Sequence, residues 1–402
     1  MPPAQMAFPW WPQPSFRTFC GSPQGLPLAI LQADALVAVW AKAVAAESPV
    51  SAVSAFIDDR MVETKGDRRG EDMLQVLQVT AEFDTLALQR CNPAKCTWLD
   101  SESSLDATPM LGDVPIPCVT HVRHLGMYMK TSLDAPLADA AASDKVELLR
   151  RFMRQVASAG LSMEEAADVI AALLPKVTWA APLDRLTDAQ LDRLRVELVR
   201  ATWGPKRATR CRELVLTIVL RGHRCDPWQC QVASILNRLR RLWLSFPDVA
   251  RAWADLLRAH SEAFPADDTF PHNLAGNLRW ALRQLCWSWS GDGFVETDEG
   301  SPLSFNTASA RWHHELCMSM RRAMWGWAAL RRTGMVDLSH GLNLRASTSL
   351  LRSSNLPSYS RGVLRSILTG ALDSPDRLFR HGRAPSPSCP FCAHSQADLK
   401  HW

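Results

Sequence analysis

The chain has 402 residues, of which 47% are hydrophobic, enough for sizeable cores and too many for a disordered polypeptide. Its formal net charge is only +4, so no global basic field is imposed, and no uncharged apolar run reaches the length of a membrane span. Eleven Cys lack the spacing of a disulfide framework, which fits a reducing compartment; sixteen Trp stand against two Tyr, an excess that composition does not explain.

Residues 1–20 read as an irregular leader, rich in Pro and Trp, without the basic and apolar regions of a signal peptide. A Gly/Pro turn, Gly21-Ser22-Pro23-Gln24-Gly25-Leu26-Pro27-Leu28, then opens an apolar helix over residues 29–44. Val53-Ser54-Ala55-Phe56 reads as a strand and Met61-Val62 as the start of a second, so Asp58 and Asp59 fall at a hairpin tip. Two adjacent carboxylates disfavour such a tip by like-charge repulsion and low strand propensity. They make sense around Mg²⁺, which takes carboxylates together with substrate phosphates; an ordinary acidic turn is the simpler alternative.

Residues 71–88 form an amphipathic helix in this reading, with Met73, Leu74, Leu77, Phe83, Leu86 and Leu88 inward. Lys95 follows on a short strand, residues 109–117 are a Pro-punctuated connector, and residues 119–129 form a hairpin. From Ser143, expected to cap a helix carrying Val146, Leu149, Phe152, Met153 and Val156, the pattern is helical. Ser162-x-x-Glu165 and Thr187-x-x-Gln190 are capping boxes; Pro175 interrupts the first helix and Gly204-Pro205 stops the second. Arg150, Arg151, Arg154, Arg193, Arg195 and Arg200 are candidates for a basic face. Residues 211–285 continue helical, with 238–243 the most basic knot; a polar loop over 290–304 marks a boundary, and a helix follows over 312–330.

Between residues 311 and 383 there are 12 Arg, no Lys and 4 acidic residues, a balance that suits a polyanion or, equally, solvated helix faces. Residues 361–383 read as a helix (Val363, Leu364, Ile367, Leu368, Leu372) and a basic turn. At the end, Cys389-Pro390-Phe391-Cys392 presents two thiols on a tight turn, half of a structural Zn²⁺ site, with His401, or else His394, as third ligand; a redox pair or two surface thiols is the other reading.

The order of these motifs resembles the palm of a reverse transcriptase, especially that of non-LTR retrotransposons. Pro23-Gln24-Gly25-x-Pro27-Leu28 looks like the nucleotide-pocket loop, Phe56-Ile57-Asp58-Asp59 like the catalytic hairpin, Asn92-x-x-Lys95 like the next strand's motif, and Leu125-Gly126 like the primer grip. The resemblance implies an α+β partial palm over residues 21–135, a helical thumb over 136–205, helical segments over 206–289 and 290–384, and a truncated zinc knuckle over 385–402. It also implies template-directed DNA synthesis with an RNA template, DNA primer and dNTP as partners, two Mg²⁺ ions as cofactors and a nuclear location. In it, Asp58 bridges the metals and Asp59 assists, Gln24 and Gly25 line the nucleotide pocket, Lys95 lies near the phosphates, and Cys389, Cys392 and His401 hold Zn²⁺. The family's first catalytic aspartate has no counterpart before Gly21, so the chain is expected to be a fragment, inactive alone. A non-catalytic nucleic-acid-binding remnant and a helical scaffold with coincidental motifs are the alternatives.

Overall fold

The computed structural model describes residues 27–402 except 57–58, 90–91, 100–107, 125–126, 131–138, 205–209, 221, 264–273, 372–373, 393–394 and 396–402. The described chain is mostly helical with small two-stranded sheets, and it divides into two units that change over within residues 125–135. None of the described helices is long and apolar enough to cross a membrane.

In the first unit, helix α1 (Pro27–Glu47) leads into strands β1 (Ala52–Phe56) and β2 (Asp59–Glu63), then helix α2 (Arg69–Leu86). Strands β1 and β2 pair antiparallel, with Phe56 opposite Asp59. Trp40, Val44 and Val76 form a small buried core with Val53, Val62 and Phe83 packed on it. Two-residue strands follow: β3 (Trp98–Leu99), β4 (Met110–Leu111), β5 (Val114–Pro115) and β6 (Cys118–Val119). The pair β4–β5 is an antiparallel hairpin around Gly112, whose φ of +59° is cheap only for glycine, whereas β3 and β6 pair in parallel. The connector expected over 109–117 is thus a hairpin, seated by Leu111 and Ile116 in a second small core with Trp98. Strands β7 (His121–His124) and β8 (Met127–Lys130) form the hairpin expected near 119–129.

Helix α2 keeps its expected face in part: Met73, Leu77 and Phe83 pack on the small cores of this unit, as expected. Leu86 and Leu88 are 84% and 92% exposed and Leu74 points outward, while Val76, Thr80 and Asp84 are buried. The helix turns its polar Thr80–Asp84 edge inward because α1 and β2 offer polar partners there, described below.

The second unit runs through α3 (Asp139–Ser158), α4 (Met163–Leu173), α5 (Pro175–Thr178), α6 (Asp188–Trp203), α7 (Arg212–Leu214), α8 (Gly222–Cys225), α9 (Pro227–Ser245), α10 (Pro247–Ala263) and α11 (Leu274–Gln284). Strands β9 (Phe294–Glu296) and β10 (Pro302–Ser304) form an antiparallel hairpin, followed by α12 (Ser309–Arg331), a 3₁₀ segment Thr333–His340, α13 (Leu344–Ser349), α14 (Ser358–Leu368) and α15 (Pro375–Arg380). Both expected capping boxes are present: Ser162 and Glu165 cap α4, Thr187 and Gln190 cap α6, each hydroxyl accepting from the third backbone N–H and each carboxylate or amide oxygen accepting in return. Gly204, at φ +100°, ends α6 as expected. Ser143 is not a cap; α3 begins four residues earlier and Ser143 lies inside it. The helix expected over 361–383 is shorter and earlier, and after it the chain re-forms as α15 under a Ser374 cap.

One continuous core extends from Val146 to Met324. The divisions expected at 205 and 290 therefore fall inside this unit. The polar loop expected over 290–304 holds the β9–β10 hairpin, whose Val295 and Leu303, with Phe305, are buried in that core. Between α7 and α8 the chain makes a π-helical turn, Val215–Val219. Val215 and Leu216 face the main core; Cys211, Leu214 and Ile218 join Trp325 and Ala328 in a second cluster. A Cβ on Gly222 would lie 2.3 Å from the carbonyl oxygen of Leu216, so only glycine lets α8 start so close to that turn.

The tryptophan excess has a structural use. Indole N–H groups donate to side chains of other elements: Trp228 to Gln284, Trp280 to Asp188, Trp312 to Asn237 and Trp325 to Thr217, at 2.9–3.1 Å. Arginine guanidinium groups lie over the indole faces: Arg185 on Trp280, Arg195 on Trp228 and Trp327, Arg240 on Trp312. Each large ring fills the core and also anchors a polar group at its rim.

Candidate functional site

The β1–β2 hairpin is built around the residue that follows its aspartates. Arg60 Nη2 donates to Asp84 Oδ1 of α2 at 2.8 Å and to Gln89 Oε1 at 3.4 Å, and its guanidinium lies 5.1 Å from the Trp40 ring centre of α1. Trp40 Nε1 donates to Thr80 Oγ1 at 3.0 Å, and Thr80 Oγ1 donates to the carbonyl of Val76 at 2.7 Å. A strand, two helices and a cation–π contact thus fix β2 from its first residues. Asp59 opens β2 and is exposed; Ile57 and Asp58 lie outside the described residues, as do Gln24, Gly25, Leu125, Gly126, His394 and His401.

Lys95 is exposed and ends the short 3₁₀ turn Pro93–Lys95, not a strand as expected. The turn is closed by Lys95 N–H donating to the Asn92 carbonyl at 2.9 Å, with Asn92 Oδ1 accepting from Ala94 N–H at 3.2 Å. Asn92-x-x-Lys95 is therefore a self-contained turn in which the Asn side chain holds the backbone. No hydrogen bond or ion pair joins Lys95 to Asp59 among the described residues. At the other end of the chain Cys389 is buried and Cys392 exposed. Among the described residues no three His, Cys, Asp or Glu side chains surround a common point closely enough to hold a metal ion.

The basic residues fare unevenly. Arg195, a candidate for a nucleic-acid face, is instead 2% exposed and lies 3.0 Å from Asp226 Oδ1, a carboxylate with no exposure at all. Burial pulls Arg195 below the usual arginine range despite Asp226, and pushes the Asp226 carboxyl up despite Arg195. Two Trp rings complete the enclosure. This is a core ion pair, not a phosphate contact. Arg150 pairs with Glu147 and Glu197, Arg154 with Glu147 and Arg200 with Glu197; Arg151 and Arg193 are exposed.

In the arginine-rich stretch from 311 to 383 many guanidiniums also have intrachain partners. Arg322 makes a two-pronged contact with Asp298, at 2.5 and 2.9 Å. Arg331 pairs with Glu213, Arg365 with Glu164 and Arg380 with Asp376, while Arg332 and Arg361 donate to backbone carbonyls. Arg311, Arg345 and Arg352 are exposed. Sequence reasoning counted charge but missed the acidic partners from distant segments, Asp298, Glu213 and Glu164; only Asp376, beside Arg380, is local.

It also missed a cluster in the second unit. His313 Nε2 of α12 lies 3.5 Å from Cys317 Sγ, and its ring stands edge-on to that of His223 in α8, centres 5.5 Å apart. The His313-x₃-Cys317 spacing was the available signal. Comparison with protein-family models, with curated proteins and with solved structures found no match.

Proposed function

We propose that this chain carries reverse-transcriptase-type palm and thumb elements and binds a primer–template duplex. The observation that carries the reading is the β1–β2 hairpin, whose second strand opens at Asp59 and is held by α1 before it and α2 after it. In that reading Asp58 and Asp59 hold Mg²⁺ beside the reacting phosphates, Gln24 and Gly25 line the nucleotide pocket, and Lys95 and the Leu125-Gly126 turn meet dNTP and primer. The exposed Arg151 and Arg193 contribute phosphate contacts. Two-metal nucleotidyl transfer needs carboxylates from two strands with the ions about 3.5–4 Å apart. The Asp58-Asp59 pair comes from one hairpin, and the only other acidic residues up to position 58 are Asp34 and Glu47. The chain alone is therefore expected to bind duplex without extending it.

The test is fluorescence anisotropy with a labelled RNA–DNA primer–template, across a salt series, beside a dNTP-incorporation assay. The reading expects an affinity that falls steeply with salt, with weakening by Arg151→Ala plus Arg193→Ala, and no incorporation. Absence of binding at low salt overturns it. Incorporation that disappears in Asp58→Ala would keep the reading and show that another acidic residue completes the metal site.

A further inference from the structure

Helix α1 is apolar on every side. Its charged side chains are Asp34, Lys42 and Glu47, and almost everything else in its 21 residues is Ala, Val, Leu, Ile or Trp. Helices of that kind are normally enclosed. Among the described residues only one side of α1 is covered: Trp40 and Val44 are buried against Val76 of α2, while Leu31 and Val39 are 63% and 58% exposed. At about 3.6 residues per turn, Leu31, Ala35, Ala38, Val39 and Ala46 fall on the side turned away from Trp40 and Val44. All five are exposed, and together they make a contiguous apolar face.

The helix also carries a charge pattern that it cannot satisfy by itself. Glu47 accepts from Gln75 of α2. Asp34 and Lys42 are both exposed, and neither has an ion pair among the described residues. They lie about 12 Å apart along the axis, roughly twice the separation at which side chains of one helix meet.

We propose that α1 is a self-association surface, on which two copies of this chain form an antiparallel, two-fold pair centred on Ala38. Reversing a second helix about Ala38 sets Asp34 opposite the partner's Lys42, and by symmetry Lys42 opposite the partner's Asp34, so each copy satisfies the other's charges. The same operation lays Leu31 over the partner's Ala45 and Ala46, large against small. It also brings Ala38 against the partner's Ala38, where short side chains let the two backbones approach closely. A parallel pair would set Asp34 beside Asp34 and Lys42 beside Lys42, so the charges select the antiparallel sense. A nucleic acid does not suit this face, which is apolar and carries a single lysine. None of these residues takes part in the duplex binding proposed above. One crossing helix pair is small for a specific interface, below about 1,200 Å² in total, so association in the micromolar range is expected.

The test is sedimentation velocity of the full chain over a concentration series reaching about 100 μM. The wild-type chain should pass from monomer to dimer. Asp34→Lys alone and Lys42→Asp alone each turn the attractive contacts into repulsive ones, and each should weaken the dimer about 10-fold. Asp34→Lys with Lys42→Asp restores opposite charges across the two-fold axis and should return the dimer to wild-type affinity. These positions are exposed, so the circular dichroism spectra should match that of the wild type. A wild-type chain that stays monomeric throughout overturns the proposal, whether the face is then open or covered by earlier residues of the same chain. So does a dimer that the single charge variants leave as tight as before, or one that the double variant fails to restore.

Discussion

The two units solve the same problem with different means. The first has small cores, one around Trp40, Val44 and Val76 and one around Trp98, Leu111 and Ile116, and many of its apolar side chains remain at the surface. The second has a core that runs from α3 to α12 and is thick enough to enclose charge: Arg195 and Asp226 lie inside it. Yet both use one device, an arginine guanidinium over an indole and joined to a buried aspartate. In the first unit it is Arg60 with Trp40 and Asp84; in the second, Arg195 with Trp228, Trp327 and Asp226. The difference predicts that the depth of the surrounding core, not the device, sets how much is lost when it is broken.

The largest effect is expected in the deep pair. Asp226→Ala leaves Arg195 charged and without its carboxylate in a low-dielectric interior, and should cost about 3–5 kcal/mol of stability, read by urea unfolding of the second unit. Asp84→Ala, the same deletion in the first unit, should cost less, because Arg60 retains a side-chain exposure of 16% against 3% for Arg195. Equal losses in the two units would refute the role given to core depth.

A second, smaller effect concerns acid. Burial tends to push up the Asp298 carboxyl, but hydrogen bonds from Arg322 and Ser319 and the charge of Arg322 outweigh it and hold the group below the ordinary value of 3.8. Glu213 is likewise buried, and Arg212, Arg195 and Arg331 hold it below its ordinary 4.5. A carboxylate depressed in the folded state contributes stability above its unfolded pKa and loses it as pH falls through the folded one. The second unit should therefore weaken progressively as pH drops below about 4. Asp298→Asn should remove part of that slope and cost about 1–3 kcal/mol near neutrality by breaking the Arg322 contact. An unchanged slope in a pH series of thermal melts would deny the carboxylate this part.

The smallest effect separates ring from rim. Trp40→Phe keeps an aromatic face for Arg60 but removes the N–H that meets Thr80, and should cost about 1 kcal/mol. Trp40→Ala, which also empties the small core, should cost more, about 3 kcal/mol, at the low end for such truncations because that core is small. If the two variants melted alike, the indole N–H and not the packing would be holding the first unit.

What the sequence made legible was what is local. Both capping boxes and the Asp59 hairpin span only a few residues, and the capping side chains meet backbone close by in the chain. The face of α2 was legible at Met73, Leu77 and Phe83 but not at Leu74, Leu86 and Leu88, because apolar residues occur around the whole helix; Trp40 and Arg60, supplied by other elements, select the Thr80–Asp84 side. Arg195 was misread for the same reason, since nothing near it in sequence announces Asp226. The hairpin at Gly112 was hidden by its prolines, which read as a connector although both strands are two residues long. The imidazole–thiol cluster is split between elements far apart in the chain, so no single motif displays it.

The π-helical turn has a consequence in time. Its neighbourhood is completed by chain that comes much later: Thr217 meets Trp325, Glu213 meets Arg331, and Cys211 N–H donates to the carbonyl of Thr369 at 2.7 Å. A ribosome making this protein delivers residues 211–219 long before any of those partners exists. Until residue 369 has left the exit tunnel, that stretch lacks at least one of these partners. The second unit can be assembled from its N-terminal end but finished only from the other, and the nascent chain must carry an unsealed seam from residue 219 until residue 369 emerges.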